Sequence, residues 1–353
     1  MKKKSLLFLL IVLIFCMLLF IFSGCKLNNY ESNTPNNYES NTETRKDAFV
    51  GEGTKEKPYV IESKYNLLFL EEEEVNVRNQ QYSEKYFIQT KDIDMMGYCW
   101  TPLGHSEKTA FKGNYNGCGK TIQNINIKVS NNGYVGFWGY CQNGTIENIS
   151  LKAVAIDCYI GKNISNAGLL IGYGDQCTLL NCKTEGIIDI ESYKALANIG
   201  GVIGSAFFCY PYDTHTRIVS CESVVTIVSN SPVPNIGGIA GKVVNYDISD
   251  CVAKTVITYN EIMRHGSGGS YSGIGGLVGV NLHGVINNSN IELETYSISD
   301  VKIGAIVGLS EAGKIEDCNA TINSTSTNVK LSIVAFDGNK EKPKNCDYIL
   351  KEN

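Results

Sequence analysis

A five-residue block closing on glycine returns along this chain at nearly even intervals, and no other feature limits the fold as strongly. It reads VGFWG at Val135 to Gly139, GLLIG at Gly168 to Gly172, GGVIG at Gly200 to Gly204, GGIAG at Gly237 to Gly241, GGLVG at Gly275 to Gly279 and GAIVG at Gly304 to Gly308, with starts 33, 32, 37, 38 and 29 residues apart. A second block keeps a tighter distance. Ten residues beyond the last glycine stand Ile149, Cys182, Cys251, Ser289 and Cys318, while in the third repeat Cys221 arrives after 17, which places a seven-residue insertion there. A worn seventh copy, Ser332 to Phe336, is followed ten residues later by Cys346. Repeat length varies while the ten-residue offset holds, so extra residues enter only at certain corners. That is the behaviour of a solenoid, whose units contact only their neighbours.

The segments between blocks are short, β-branched and partly alternating, as in Gly186 to Glu191, Ser223 to Val228 and Ala253 to Thr258. No window carries a helical period able to compete. The expected fold is therefore all-β: a right-handed parallel β-helix of about eight coils stacked ~4.8 Å apart, running over 86–353. Residues 51–85 would precede it as a cap, with Ser63 to about Val77 forming a short amphipathic element that covers the first coil, whose open strand edge would otherwise invite pairing. The worn last copy reads as a C-terminal cap.

Stacking assigns each repeated position a task. The repeat glycines, Gly136, Gly139, Gly168, Gly172, Gly200, Gly201, Gly204, Gly237, Gly238, Gly241, Gly275, Gly276, Gly279, Gly304 and Gly308, mark places where the chain turns with positive φ or where neighbouring backbone approaches closely. Leu170, Val202, Ile239, Leu277 and Ile306 line up as an inward apolar ladder. Cys182, Cys221, Cys251, Cys318 and Cys346 form a second one, small thiols suiting a cramped corner. The alternative for the thiols is a few disulfides, Cys177 with Cys182 or Cys221 with Cys251. No CxxC spacing for zinc occurs, and neither metal nor cofactor is expected.

The N-terminus speaks to location. Lys2, Lys3 and Lys4 precede an apolar run from Leu6 to Phe22, the layout of an export signal over 1–24. The run ends in Phe22-Ser23-Gly24-Cys25, which resembles the lipobox of bacterial lipoproteins. That resemblance implies cleavage before Cys25, diacylglyceryl modification of its thiol, and attachment to a membrane outside the cytoplasm, at the cell surface or outer membrane. An uncleaved anchor is the alternative. Residues 25–50 contain NNYESNT twice and no apolar periodicity, so they read as a disordered polar tether. The formal net charge of −5, part of whose positive share sits in the leader, speaks against nucleic-acid binding.

Upstream of the blocks, Gly51 to Ile61 (GEGTKEKPYVI), Tyr86 to Asp94 (YFIQTKDID), Trp100 to Gly104 (WTPLG) and Phe111 to Gly117 (FKGNYNG) complete a pattern that, with the glycine blocks, resembles the GLUG repeat, named for its Gly-Leu-x-Gly core. The resemblance runs from about Gly51 to the C-terminus, with Leu169 and Ala305 departing at the second glycine. It implies a β-helix of the pectate-lyase-like kind. GLUG repeats occur in bacterial surface and adhesin-like proteins and in a non-catalytic region of immunoglobulin A peptidases. The HExxH motif of the zinc protease domain of those peptidases does not occur in this sequence.

Two insertions, Pro211 to Arg217 and Glu261 to Tyr271, interrupt the coils. Loops on rigid scaffolds often carry binding, so Tyr212, Asp213, His215, Arg217, Arg264, His265 and Tyr271 are the candidate binding residues, with Tyr173 and Tyr210 as further aromatic platforms for a glycan. No catalytic residue is assigned: Asp157, Asp175, Asp189 and Asp250 read as single carboxylates in separate coils. The function expected is a membrane-anchored β-helical adhesion surface toward glycans or a host or matrix protein. A polysaccharide lyase or glycosidase on the same scaffold, and a ligand-free spacer, are the alternatives.

Overall fold

A computed structural model describes residues 49–76, 81–130, 133–160, 165–192, 196–208, 217–259, 273–297, 302–324, 330–338 and 342–351. Every named strand pair in it is parallel, and the strands sort into four stacked sheets, as the glycine spacing requires of a parallel β-helix. One coil shows the plan. Ser165–Gly168 lies on the first face, and the chain turns at Leu169 and Leu170. Ile171–Asp175 follows on the second face, Thr178–Leu180 on the third, and Lys183–Ser192 on the fourth. The third face contains nine strands, beginning with Tyr59–Ile61, which pairs with Tyr86–Gln89, so parallel stacking starts within the stretch read as a cap.

The interior ladders fall where the repeat places them. Leu170, Val202, Ile239, Leu277 and Ile306 are fully buried, and so are Cys182, Cys221, Cys251 and Cys318, with Ser289 in the same column. Each thiol donates to the carbonyl two residues back: Cys251 to Ser249 at 3.2 Å and Cys318 to Glu316 at 3.1 Å. Ser289 does the same toward Asn287 at 2.9 Å. These cysteines, and Cys177, are free thiols, so neither disulfide pairing is formed; Cys99 is disulfide-bonded. Burial pushes the Cys318 thiol up to about 12, which leaves little thiolate for reaction.

The two tasks offered to glycine separate. Positive φ is taken by polar residues just before the cysteine column, among them Asn148, Asn181, Asp250, Asn288 and Asp317, because short side chains that bond locally tolerate that region. Their amides form an outer ladder, Asn181 Nδ2 donating to Asn148 Oδ1 at 2.9 Å. The block glycines instead allow close approach. A Cβ at Gly241 would stand 2.3 Å from the Ile199 amide nitrogen and 2.6 Å from the Gly204 carbonyl oxygen. First and second faces therefore pack backbone to backbone.

Beside this contact runs a buried ladder that the repeat reading passed over. Asn198 Nδ2 donates to Asn166 Oδ1, and Asn235 Nδ2 to Asn198 Oδ1, both at 2.7 Å. Backbone closes its two ends, the Gly133 carbonyl accepting from Asn166 and the Gly273 amide donating to Asn235.

The two ends of the solenoid differ. At the start, a helix at Lys64–Asn76 buries Leu67 and Leu70. Ser63 caps it, its amide donating to Asn66 Oδ1 at 3.0 Å while its hydroxyl accepts from the Asn66 amide. Val50 forms an antiparallel bridge with Val60, the first strand of the third face. At the other end, Asp347–Lys351 is one more parallel strand, with Ile349 61% and Leu350 44% exposed.

Candidate binding face

The fourth face presents the longest strands to solvent. Its register stacks outward residues into rows across the coils. One row reads Glu185, Val224, Lys254, Glu292, Thr321 and Ile349, and a second reads Lys183, Glu222, Val252, Asn290, Asn319 and Asp347. Alternation along each strand sends Ile188, Ile227 and Ile257 inward as a buried column. Opposite charges meet between neighbouring coils, Lys183 with Glu222 at 2.9 Å and Lys254 with Glu292 at 3.1 Å. Exposed pairs of this kind contribute ~0–1 kcal/mol, so they set surface chemistry more than stability. Val224 and Tyr159 add large exposed apolar area. Toward the C-terminal end the face dips into a shallow depression of about 230 Å³ beside Glu292, Thr321 and Ile349.

The reading of Asp157 and Asp189 as isolated carboxylates is corrected. They are register partners in adjacent coils, with Tyr159 opposite Glu191 two residues along. Adjacent strands lie ~4.8 Å apart. Lys128 Nζ stands 3.9 Å from Asp157 on the preceding coil. Burial raises the Asp189 carboxyl above its ordinary value, and the charges of Asp157 and Glu191 raise it further. A carboxyl raised in this way holds its proton more firmly than an isolated surface carboxylate does.

Of the loop candidates, only Arg217 is placed. It is exposed, heads the third-face strand Arg217–Val219, and lies in register with Asp247 of the next coil. Tyr210, Tyr212, Asp213, His215, Arg264, His265 and Tyr271 lie outside the described residues, as do Cys25, the leader and the tether. Tyr173 is half-buried, its ring packing on Tyr140 at 4.9 Å and Tyr134 at 5.6 Å between centroids. Glu71 of the cap helix is a half-buried carboxylate. It accepts a 2.6 Å bond from the Thr101 amide, and burial pushes it up to about 7. Among the described residues no cluster of three metal-ligating side chains occurs, and no helix is long and apolar enough to cross a membrane.

Fold and face together define a parallel β-helix whose widest exposed surface is a ruled sheet of mixed charge. A solved structure titled as an immunoglobulin A1 protease from Bacteroides ovatus is similar over 86% of both chains, with a TM-score of 0.52 and 21% identity, a likeness of fold. No family model matches the chain. Two curated relatives match by sequence. One, from Evansella cellulosilytica and named as a Gly-rich membrane protein, is 35% identical over 108 residues, or 29% of this chain; the other, the halomucin of Haloquadratum walsbyi, is 29% identical over 169 residues, or 44%. The matched stretches span 12% and 2% of those relatives' own length.

Proposed function

We propose that this chain is an exported, lipid-anchored bacterial surface protein of the GLUG type, whose β-helix holds a binding face away from the membrane, toward glycans or a host or matrix protein. Residues 1–24 act as the leader, Cys25 carries the diacylglyceryl anchor, 25–50 form the tether and the remainder folds as cap and solenoid. The names of the relatives, a membrane protein and a halomucin, favour surface residence. The observation that carries the binding role is the fourth face, where rows of charged and apolar side chains recur at one strand spacing over consecutive coils. A ligand laid along the solenoid axis meets one outward side chain of each row per coil, at an even spacing, and weak contacts sum.

The stacked Asp157 and Asp189 favour a second reading, a glycosidase. Two carboxyls about one strand spacing apart, one of them raised, resemble the ~5–5.5 Å arrangement of retaining enzymes.

Detergent-solubilised full chain on glycan and matrix-protein arrays, with a product scan of every glycan that scores, separates these readings. Intact ligand retained, and lost in Tyr159→Ala or Val224→Lys, supports the binding face; loss in Arg217→Ala places it at the third-face insertion instead. Cleaved product that disappears in Asp189→Asn supports the enzyme. Silence across the arrays favours a ligand-free spacer. Incorporation of a labelled fatty acid, absent in Cys25→Ala, tests the anchor.

A further inference from the structure

The C-terminal end of the solenoid leaves one strand edge open among the described residues. Asp347–Lys351 is the outermost strand of the fourth face. It pairs on one side with Asn319–Ser324, and among the described residues no strand pairs with its other side. Its backbone therefore offers a ladder of donors and acceptors, the kind of edge that adds strands from another chain. At the opposite end the Val50 bridge covers the third face, and the fourth face begins with only the two-residue strand Ile93–Asp94, so head-to-tail growth meets no edge of matching length.

We infer that this edge pairs antiparallel with the same edge of a second copy, forming a tail-to-tail two-fold dimer centred on Ile349. The five residues read Asp-Tyr-Ile-Leu-Lys. Antiparallel self-pairing about Ile349 sets Asp347 of each copy opposite Lys351 of the other, twice by symmetry, and Ile349 opposite itself. All of these lie on the outward side of the sheet. On the inward side, Tyr348 meets Leu350, again twice. Those two residues continue the buried columns of Ala320 and Ile322, yet Leu350 is 44% exposed, with no further strand beyond it among the described residues. The second copy supplies that cover. A slip of one residue would turn the apolar pair outward, and a slip of two would put each Asp347 or each Lys351, according to its direction, opposite an isoleucine. Register, charge and burial thus agree on one arrangement, and an isologous contact of this kind closes at two copies.

Analytical ultracentrifugation of the full chain in detergent micelles tests this. The expected result is a reversible dimer. Asp347→Lys replaces both attractive contacts with repulsive ones and weakens it by about tenfold or more. Asp347→Lys combined with Lys351→Asp restores the parent affinity, since the reversed charges again face each other. Circular dichroism on each variant confirms that the fold persists. A parent that stays monomeric at ~100 μM, a scale at which even modest self-association registers, overturns the inference. So does a dimer indifferent to Asp347→Lys, or a folded double variant that fails to recover. Ile349→Cys supplies an independent geometric check: directly opposed positions cross-link to a covalent dimer under mild oxidation, and Thr321→Cys, one strand inside the edge, does not.

Discussion

Replacing Asn198 by alanine tests the internal amide ladder most directly. Asn198 is 4% exposed and stands between Asn166 and Asn235, with a 2.7 Å bond on each side. The substitution leaves the Asn166 carbonyl oxygen and one Asn235 amide proton facing each other across a gap too dry to hydrate freely. Each buried group left without a partner costs ~1–3 kcal/mol. Two such groups place the penalty at about 3–4 kcal/mol, a large share of a typical ~5–15 kcal/mol stability. Asn166→Ala leaves the Asn198 amide without its acceptor, while the Gly133 carbonyl keeps its 2.8 Å bond from the backbone amide of residue 166, so the penalty is about half. Because a solenoid can open locally, native-state hydrogen exchange over 196–200 and 233–237 is the appropriate assay, with urea unfolding as the global readout. Equal costs for the two variants, or a cost below ~1 kcal/mol for Asn198→Ala, would refute the argument that the ladder acts as a connected series.

Glu71 gives a pH signature. Its pKa is raised from 4.5 to about 7 by burial, so the folded state holds the proton more tightly than the unfolded one. That contribution is fully present below ~pH 4.5 and is lost as pH rises through 7, up to about 3 kcal/mol in all. Glu71→Gln removes the slope and raises the melting temperature at pH 8, as thermal scans across pH 5 to 8 will show. Gly241→Ala drives a Cβ to within 2.3 Å of the Ile199 nitrogen and lowers stability by about 1–3 kcal/mol or more in urea titration. Gly97→Ala, with open space around it but φ +83, loses about 1 kcal/mol. Iodoacetamide at pH 8 followed by mass spectrometry labels exposed Cys118 first and leaves Cys182, Cys221, Cys251 and Cys318 unmodified until the chain is unfolded.

Much of the architecture was legible because each coil must close on itself. The column of Cys182, Cys221, Cys251 and Cys318 could be found by counting, since apart from the seven-residue insertion before Cys221 the chain from block to cysteine contains only tight corners and short strands. The Asp157 and Asp189 pair could not. Counted from the corner column, Asp157 lies eight residues after Ile149 and Asp189 seven after Cys182. The difference is a bulge: the register shifts between Leu151 and Val154, around Ala153 with φ 50. One unpaired residue there was enough to disguise two stacked carboxylates as unrelated ones. The Asn166, Asn198 and Asn235 ladder did leave a trace, an asparagine two residues before the first glycine of three consecutive blocks. Composition masked it, because asparagine is also frequent at the outer corners, where its role is different.

By itself the sequence determined that this chain coils into a parallel β-helix, which positions face inward, and how long each turn is. These follow from local sterics and from a repeat that every neighbouring coil must share. Only the tertiary structure decided that asparagine and aspartate, not the block glycines, take the left-handed corners, that the glycines serve backbone-to-backbone packing, and which carboxylates meet across coils. It also decided that one end is closed by a helix while the other presents a bare strand. Those outcomes depend on register and on contacts between residues some 30 positions apart, where a one-residue bulge changes every neighbour and no local pattern records it.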